Sequence, residues 1–387
     1  MRAAVGAGVR VEPVVKADAY GHGAIPVAQW LEAAGADGFS VATFDEAVAL
    51  RLAGIRRPVL VLYPVPPEHA AEAARRGITL TVGDAELLRR LLSGLAAGPA
   101  PRRRLRLQLE IETGLGRGGF SEADVGPAAR AIQAVAAARL EGAWSHLAAP
   151  GDDQRTGAQT GRFEEVLGLL AGGGVRVSDR HLAASGGLLS AAPDYEAVRP
   201  GLAIYGLLPD GVTPAAARSE LAGRLRPVMA LYARPVRVAD LPAGWGVSYG
   251  PSFVTGRPSR IATLPLGYGD GWSRGLSNRA SALVRGVRVP LVGTVAMDAV
   301  MADVTDVPGS PVGVDDEFTL LGERGGERID AAELARSRAT ISWEVVTAMS
   351  RRLPRVYHAA AGPLGIETLV GREDRLARTA TPPQSPR

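Results

Sequence analysis

The sequence predicts a (β/α)8 barrel followed by a mostly-β unit, and three observations carry that expectation. Eight β-branched or apolar runs recur through roughly the first two hundred residues, with Ala-, Leu-, Glu- and Arg-rich helical stretches between them. Strands alternating with helices make βαβ units and a parallel sheet, and eight of them suffice to close a barrel. After about residue 224 the helical spacing gives way to short β-type runs separated by Gly and Pro. Finally, polar and charged side chains fall at or near the carboxyl ends of the first run and of the fifth to eighth, where barrel sites gather.

Taken in order, the barrel strands are expected at residues 9–16, 39–44, 58–63, 78–82, 105–113, 140–147, 180–185 and 197–205. Helices are expected at 26–34, 45–53, 67–76, 84–96, 121–138 and 161–170, with a short one near 187–191. Asp45 and Asp84 stand where N-caps belong, and Gly54 and Gly77 follow their helices as stops. A doubly wound open sheet is the alternative topology. The second unit should hold strands at 228–238, 259–264, 279–284, 287–292, 299–303 and 317–321, and helices at 330–336 and 343–351. The expected division is a barrel over 1–224, a β-domain over 225–370, and a polar, proline-rich disordered tail over 371–387.

Lys16 is the only lysine among 387 residues; every other member of the 44 Lys and Arg residues is arginine. A guanidinium stays protonated and cannot be a nucleophile, whereas an amine can once burial or a neighbouring charge lowers its pKa. A lone lysine after Val14 and Val15, just before a Gly-flanked loop, is therefore the first candidate for a Schiff-base residue. Other strand-end residues agree with it. Arg117 follows the fifth strand, His146 ends the sixth, Ser185 ends the seventh, and Arg199 and Gly201 lie on the eighth. Barrels commonly hold phosphate in the loops after strands seven and eight, which assigns Ser185 and the Gly201 amide that task.

Composition narrows the rest. A chain of this length with 46% hydrophobic and 22% charged residues has room for two domains and reads as an ordinary soluble protein. The absence of cysteine excludes disulfides, thiolate metal sites and a cysteine nucleophile. Residues 1–10 lack the unbroken apolar core of a signal peptide, and no apolar run approaches the ~20 residues of a membrane span. The expectation is a cytoplasmic protein with no membrane partner. Arg102, Arg103, Arg104 and Arg106 form the densest basic run, but no aromatic residues interleave with it. It reads as a solvated strand entrance and not as a nucleic-acid site. His22, His69, His181 and His358 show no metal-ligand spacing, so no metal is expected, and His181 takes a supporting role near the site.

The stretch Val14-Val15-Lys16-Ala17-Asp18-Ala19-Tyr20-Gly21-His22-Gly23 resembles the pyridoxal 5'-phosphate (PLP) lysine motif of the alanine racemases. Later segments are similar too. Trp245-Gly246-Val247-Ser248-Tyr249-Gly250 resembles the segment holding the family's second catalytic base, which maps onto Tyr249. Leu264-Pro265-Leu266-Gly267-Tyr268-Gly269-Asp270-Gly271 resembles the loop whose tyrosine enters the neighbouring subunit's site, here Tyr268. Val292-Gly293-Thr294-Val295-Ala296-Met297-Asp298 resembles the segment whose methionine amide meets the substrate carboxylate, here Met297. Val198-Arg199-Pro200-Gly201 resembles the segment whose arginine faces the pyridine nitrogen, and Thr113-Gly114-Leu115-Gly116-Arg117 the turn whose arginine sits by the substrate. Tyr20, Ser185 and the amides of Gly201 and Leu202 map onto phosphate contacts. His146 maps onto the histidine that links the tyrosine base to the pyridine-facing arginine.

The resemblance implies a homodimeric racemase that interconverts L- and D-alanine and supplies D-alanine for peptidoglycan. Lys16 and Tyr249 would serve as bases on opposite faces of the substrate, with His146 beside Arg199 favouring phenolate at Tyr249. An arginine against the pyridine nitrogen would keep that nitrogen unprotonated and so limit transamination. Four places depart from the family pattern. The chain starts fifteen residues before Lys16, where the family usually has a strand and helix of about twenty residues, so a truncated start is expected. Glu110 stands where many members carry a carbamylated lysine, and its carboxylate would orient Arg117 in that group's place. Ala184 replaces a common asparagine, and Arg351 replaces a tyrosine often used on the phosphate.

Alternatives remain at this level. Gly114-Leu115-Gly116-Arg117-Gly118-Gly119 follows a strand, but its register is not that of a dinucleotide loop. A non-catalytic PLP-binding barrel would lack Tyr249 and the β-domain, and a related decarboxylase would need a cysteine. A broader racemase, or an inactive truncated homologue, would share the motifs found here.

Overall fold

The computed structural model describes residues 1–97, 102–190, 192–359 and 362–374. The chain divides into two compact units. One comprises Met1–Tyr20 with Ala24–Val228, and the other Gly21–Gly23 with the residues from Met229 onward.

The first unit is a closed parallel barrel. Its strands are β1 (Arg10–Val11), β2 (Phe39–Val41), β3 (Val59–Val61), β4 (Ile78–Val82), β5 (Leu105–Glu110), β6 (Ala138–Trp144), β7 (Asp179–His181) and β8 (Ala197–Val198). β2 to β7 pair in chain order, and β1 pairs β8 in parallel. Single bridges, Val14 to Ser40 and Ala184 to Arg199, join these two sets into one ring. An open doubly wound sheet is thereby excluded.

Regular strands are shorter than the sequence predicts, for local reasons. Pro13 and Pro200 bring no amide to the ladder, so β1 and β8 stop before them. Lys16 consequently lies beyond the end of β1, and Ser185 lies beyond β7, which ends at His181. Lys16 opens a turn over Lys16–Tyr20, and Ser185 opens the helix Ser185–Leu189. The expected strand at 197–205 instead becomes a 3-10 turn over Leu202–Tyr205. The N-cap expected at Asp45 belongs to Thr43, which shares a capping box with Glu46. Asp84 does accept the Leu87 amide at 2.7 Å, and Gly77 ends its helix in the left-handed conformation. The helix expected at 161–170 starts earlier and runs Asp153–Gly172. Position 191, at the end of the short helix expected near 187–191, lies outside the described residues.

β5 shows how the barrel interior is populated. Leu105, Leu107 and Leu109 alternate with Arg106, Gln108 and Glu110, so the leucines occupy one face and the polar residues the other. The leucines are fully buried. Gln108 reaches past β6 to His181 and Asp179 on β7, which places the polar row inside the ring.

The second unit is mostly β, with the strand order Arg237–Leu241, Ser259–Leu264, Val300–Asp303, Val287–Val292, Ser281–Val284, Phe318–Arg324, Glu327–Ile329 in its main antiparallel sheet. The single run expected at 228–238 is two strands, Leu231–Ala233 and Arg237–Leu241, interrupted at Pro235. Helices occupy Ala331–Ser337, capped by Asp330, and Ser342–Thr347. Arg355–Ala359, Gly362–Thr368 and Gly371–Asp374 add a three-stranded sheet. The disordered tail expected from residue 371 therefore does not begin there, because Gly371–Asp374 pairs with the preceding strand. The rest of that tail, 375–387, lies outside the described residues.

Candidate active site

Lys16 opens a short turn of the wrong hand. Ala17, Asp18, Ala19 and Tyr20 all have positive φ, between 50° and 55°. Each such non-glycine residue costs about 1–2 kcal/mol, so surrounding bonds must hold the turn. The Ala17 amide donates to Glu46 Oε1 (2.7 Å), the Ala19 amide to Val15 O (3.0 Å), and the Ala24 amide to Asp18 Oδ1 (2.9 Å). Two glycines then carry the chain out of the turn. A Cβ on Gly21 would meet Val346 O at 2.2 Å, and one on Gly23 would meet Tyr357 Oη at 2.0 Å. The Lys16 amine has a lowered pKa, chiefly from burial and then from Arg117, with Glu46 opposing and Arg199 adding to the shift.

Arg199 is fully buried inside the barrel. It donates to Nδ1 of His181 and to the Ser145 carbonyl (2.8 Å), and its guanidinium lies over the Trp144 ring, 4.9 Å from the centroid. Burial pulls its pKa down to about 10, so it remains charged at neutral pH. Nε2 of His181 lies 2.6 Å from Gln108 Oε1, a carbonyl oxygen that can only accept. His181 is therefore neutral, with its proton on Nε2. Burial, followed by Arg199, places its pKa well below the usual imidazole value. The network continues from Gln108 to Asp179 (3.0 Å), then to Arg10 and Glu12. The imidazole bonded to Arg199 is thus His181 and not His146. Sequence reasoning gave His181 only a supporting place and passed over Gln108, Asp179, Glu12 and Glu46. The polar alternation of β5 is the signal that points to Gln108. His146, just past β6, has its pKa lowered to about 3 by burial and then by Arg199, Arg117 and Lys16.

Tyr20, Ser185 and Gly201 converge. Ser185 Oγ accepts from the amides of Gly201 (2.8 Å) and Ala203 (3.1 Å), leaving its own proton to donate elsewhere. A Cβ at Gly201 would lie 2.6 Å from Tyr20 Oη. Tyr20 packs on Tyr205 with ring centroids 5.1 Å apart, and burial raises its pKa to about 12, so the phenol stays protonated. Leu202 heads the 3-10 turn, where its amide has no helical acceptor.

Arg117 leaves the loop after β5, which Glu112 organises by accepting the amides of Gly114, Leu115 and Gly116. Its guanidinium lies 3.6 Å from Glu110 Oε1 and over the Tyr63 ring at 5.5 Å. Glu110 has a raised pKa because burial outweighs the attraction of Arg117.

In the second unit Tyr249, Tyr268 and Met297 are all exposed, Tyr249 by 75%. Their segments are tied together. Ser248 Oγ donates to Thr294 O (2.6 Å), the Tyr268 amide to Ala296 O (3.1 Å), and the Gly269 amide to Met297 O (2.9 Å). Asp270 takes two bonds from Arg352, which also bonds Asp298 at 2.6 Å, bracing the same edge. Arg351 is solvent-exposed. Among the described residues no cluster of acidic or histidine side chains could hold a metal ion, and no helix is long and apolar enough to cross a membrane.

A closed barrel with a pKa-lowered amine and a buried guanidinium at its mouth, carried on one chain with a mostly-β unit, defines a lysine-centred barrel enzyme of two-unit build. Comparison with known proteins gives its family. The model for the alanine racemase N-terminal domain matches residues 1–209, and that for the C-terminal domain matches residues 228–357. The chain belongs to the alanine racemase family. The alanine racemase of Symbiobacterium thermophilum is 43% identical over 352 residues, covering 90% of each chain. That of Syntrophobacter fumaroxidans is 39% identical over 354 residues, covering 91% of each. Among solved structures, alanine racemase from Bacillus anthracis with bound L-Ala-P superposes with a TM-score of 0.84 at 31% identity, covering 97% of this chain and 93% of that one. The Streptomyces coelicolor enzyme gives 0.80 at 34% identity, covering 90% and 92%.

Proposed function

We propose that this chain interconverts L- and D-alanine with pyridoxal 5'-phosphate held on Lys16. The observation that carries the reading is the single lysine, seated at the barrel mouth with its pKa lowered by burial and Arg117. Tyr20, Ser185 and the backbone at Gly201 and Leu202 fit a phosphate, since glycine alone allows the close approach of chain and phenol at 201. Arg199 would face the ring nitrogen, and its fixed positive charge disfavours a proton there. The bound cofactor supplies an electron sink for the charge left when the Cα proton departs.

The chain's own residues then divide the work. Lys16 is the base for one face of Cα, and Tyr249 for the other. Arg117, oriented by Glu110, and the Met297 amide hold the substrate carboxylate. Exposure of Tyr249, Tyr268 and Met297 on one braced edge supports a homodimer in which Tyr268 and Met297 complete the neighbouring subunit's site. His146 is assigned to the cofactor's surroundings, its neutrality suiting it to accept a hydrogen bond without taking up the proton. The wider setting is a cytoplasmic enzyme supplying D-alanine for peptidoglycan.

The test has two arms. Borohydride treatment of the PLP-loaded chain should leave a phosphopyridoxyl group on Lys16, located by peptide mass; a folded, unlabelled chain would sink the reading. In deuterated solvent, Tyr249→Phe should lose racemisation in both directions, as equilibrium requires, while still exchanging the Cα proton of one enantiomer. Loss of both exchanges together would rule out the division of labour. Serine run beside alanine measures the breadth of the pocket.

A further inference from the structure

The amino end of the barrel carries a cavity of about 500 Å³ at the entrances of β3, β4 and β5, lined by Arg51, Arg56, Arg76, Arg103, Arg104 and Arg106. It lies at the opposite end of the barrel from Lys16. We propose that this cavity binds a multiply charged phosphate anion of the pyrophosphate or polyphosphate type.

Three of the arginines are fixed by the backbone, Arg104 through a bond from its Nε to Ala138 O at 3.0 Å. Arg51 donates to the carbonyls of Arg76, Ile55, Arg57 and Gly77 at 2.7–3.1 Å, and Arg106 donates to Gly77 O at 2.6 Å. Arg76 is paired with Glu72 at 2.8 Å, and Arg106 stands 3.7 Å from Glu141. Arg51, Arg56, Arg103 and Arg104 have no carboxylate at ion-pair distance among the described residues. Glu32 acts on Arg51 as a counter-charge, and its carboxylate is engaged by the Arg56 and Arg57 amides at 2.9 Å. Six cations therefore face three carboxylates, and no acidic side chain lines the cavity itself. Burial, and after it the charge of Arg106 with a smaller part from Arg103, lowers the pKa of Arg51 against the pull of Glu32. Guanidinium forks match phosphate oxygens in geometry and charge. No aromatic ring lines the cavity, so there is no platform for a nucleobase or a single strand. A compact polyanion is what the lining can recognise.

The experiment is calorimetric titration of inorganic pyrophosphate into the PLP-loaded full chain, repeated at increasing sodium chloride. Saturable binding that weakens with salt is expected. Arg56→Gln with Arg103→Gln should weaken it at least about tenfold, and Arg56→Lys with Arg103→Lys should lose less. In the unaltered chain, pyrophosphate should protect Arg56 and Arg103 from an arginine-directed dicarbonyl reagent, a readout that does not depend on the variants folding. Absence of saturable binding to the folded chain, binding unchanged in a folded Gln pair, or no protection of these two arginines would overturn the proposal.

Discussion

Arg199 donates a hydrogen bond to Nδ1 of His181, and that bond fixes the imidazole as the neutral Nε2–H tautomer because its other nitrogen meets the Gln108 carbonyl oxygen. The guanidinium thus has a neutral partner on one side, the Trp144 ring beneath it, and carboxylates only at longer range. Removing the imidazole leaves a buried charged donor unsatisfied. His181→Leu should destabilise the chain by about 1–3 kcal/mol in urea unfolding, and unchanged stability would show that water or a carbonyl replaces the ring at no cost.

Lys16→Arg keeps the positive charge and removes the nucleophile. Turnover of alanine should fall at least about a thousandfold, while the melting temperature stays near that of the parent. Substantial remaining activity would locate the amine chemistry elsewhere, although the sequence contains no other lysine.

His146 has its folded pKa depressed to about 3 from the ordinary 6.5. The stability it contributes is complete above pH 6.5 and is lost as pH falls toward 3, because the unfolded chain takes up the proton first. Between pH 6.5 and 5 the loss amounts to at most about 2 kcal/mol. Urea unfolding of His146→Gln should show a smaller drop across that range; His181 titrates in the same direction, so some drop should remain.

Tyr20 acts at the alkaline end. Its folded pKa is raised from 10 to about 12, so its contribution is full below pH 10 and lost as pH rises toward 12. Tyr20→Phe should flatten the stability profile in that window, by up to about 2–3 kcal/mol. A profile identical to that of the parent would show that the phenol is not protected in solution.

Glu110 is 3.6 Å from Arg117. Glu110→Gln removes the charge that orients the guanidinium and should raise KM for alanine several-fold with a smaller change in kcat, since the lost interaction concerns carboxylate binding. A fall in kcat alone would assign Glu110 a different task.

Much of this was legible in the residues themselves. Alternating helical and β-type runs determine the barrel, because period and turn chemistry are local properties. A composition that spends one lysine among 44 basic residues marks Lys16 without any structure. Strand-end position picks out Arg117, Ser185 and Arg199 as candidates, and resemblance to the family's motifs adds Tyr20, Tyr249, Tyr268 and Met297.

Only the tertiary structure decided which of these residues meet. His146 lies just past β6 and His181 ends β7, and the sequence favours His146 for the site; the ring closure of β7 on β8 through Ala184 and Arg199 presents His181 to the guanidinium. Proline at 13 and 200 shortens β1 and β8, and the left-handed turn after Lys16 is held by bonds from Glu46 and Asp18 that no local propensity favours. The row Arg106, Gln108, Glu110 reads locally as a half-solvated strand. Closure of the barrel turns it inward, giving one strand a cation at the amino end, an amide in the middle and a carboxylate by Arg117. Pairing across long separations is set by how the whole chain buries its apolar faces, and that is a property no short window of sequence contains.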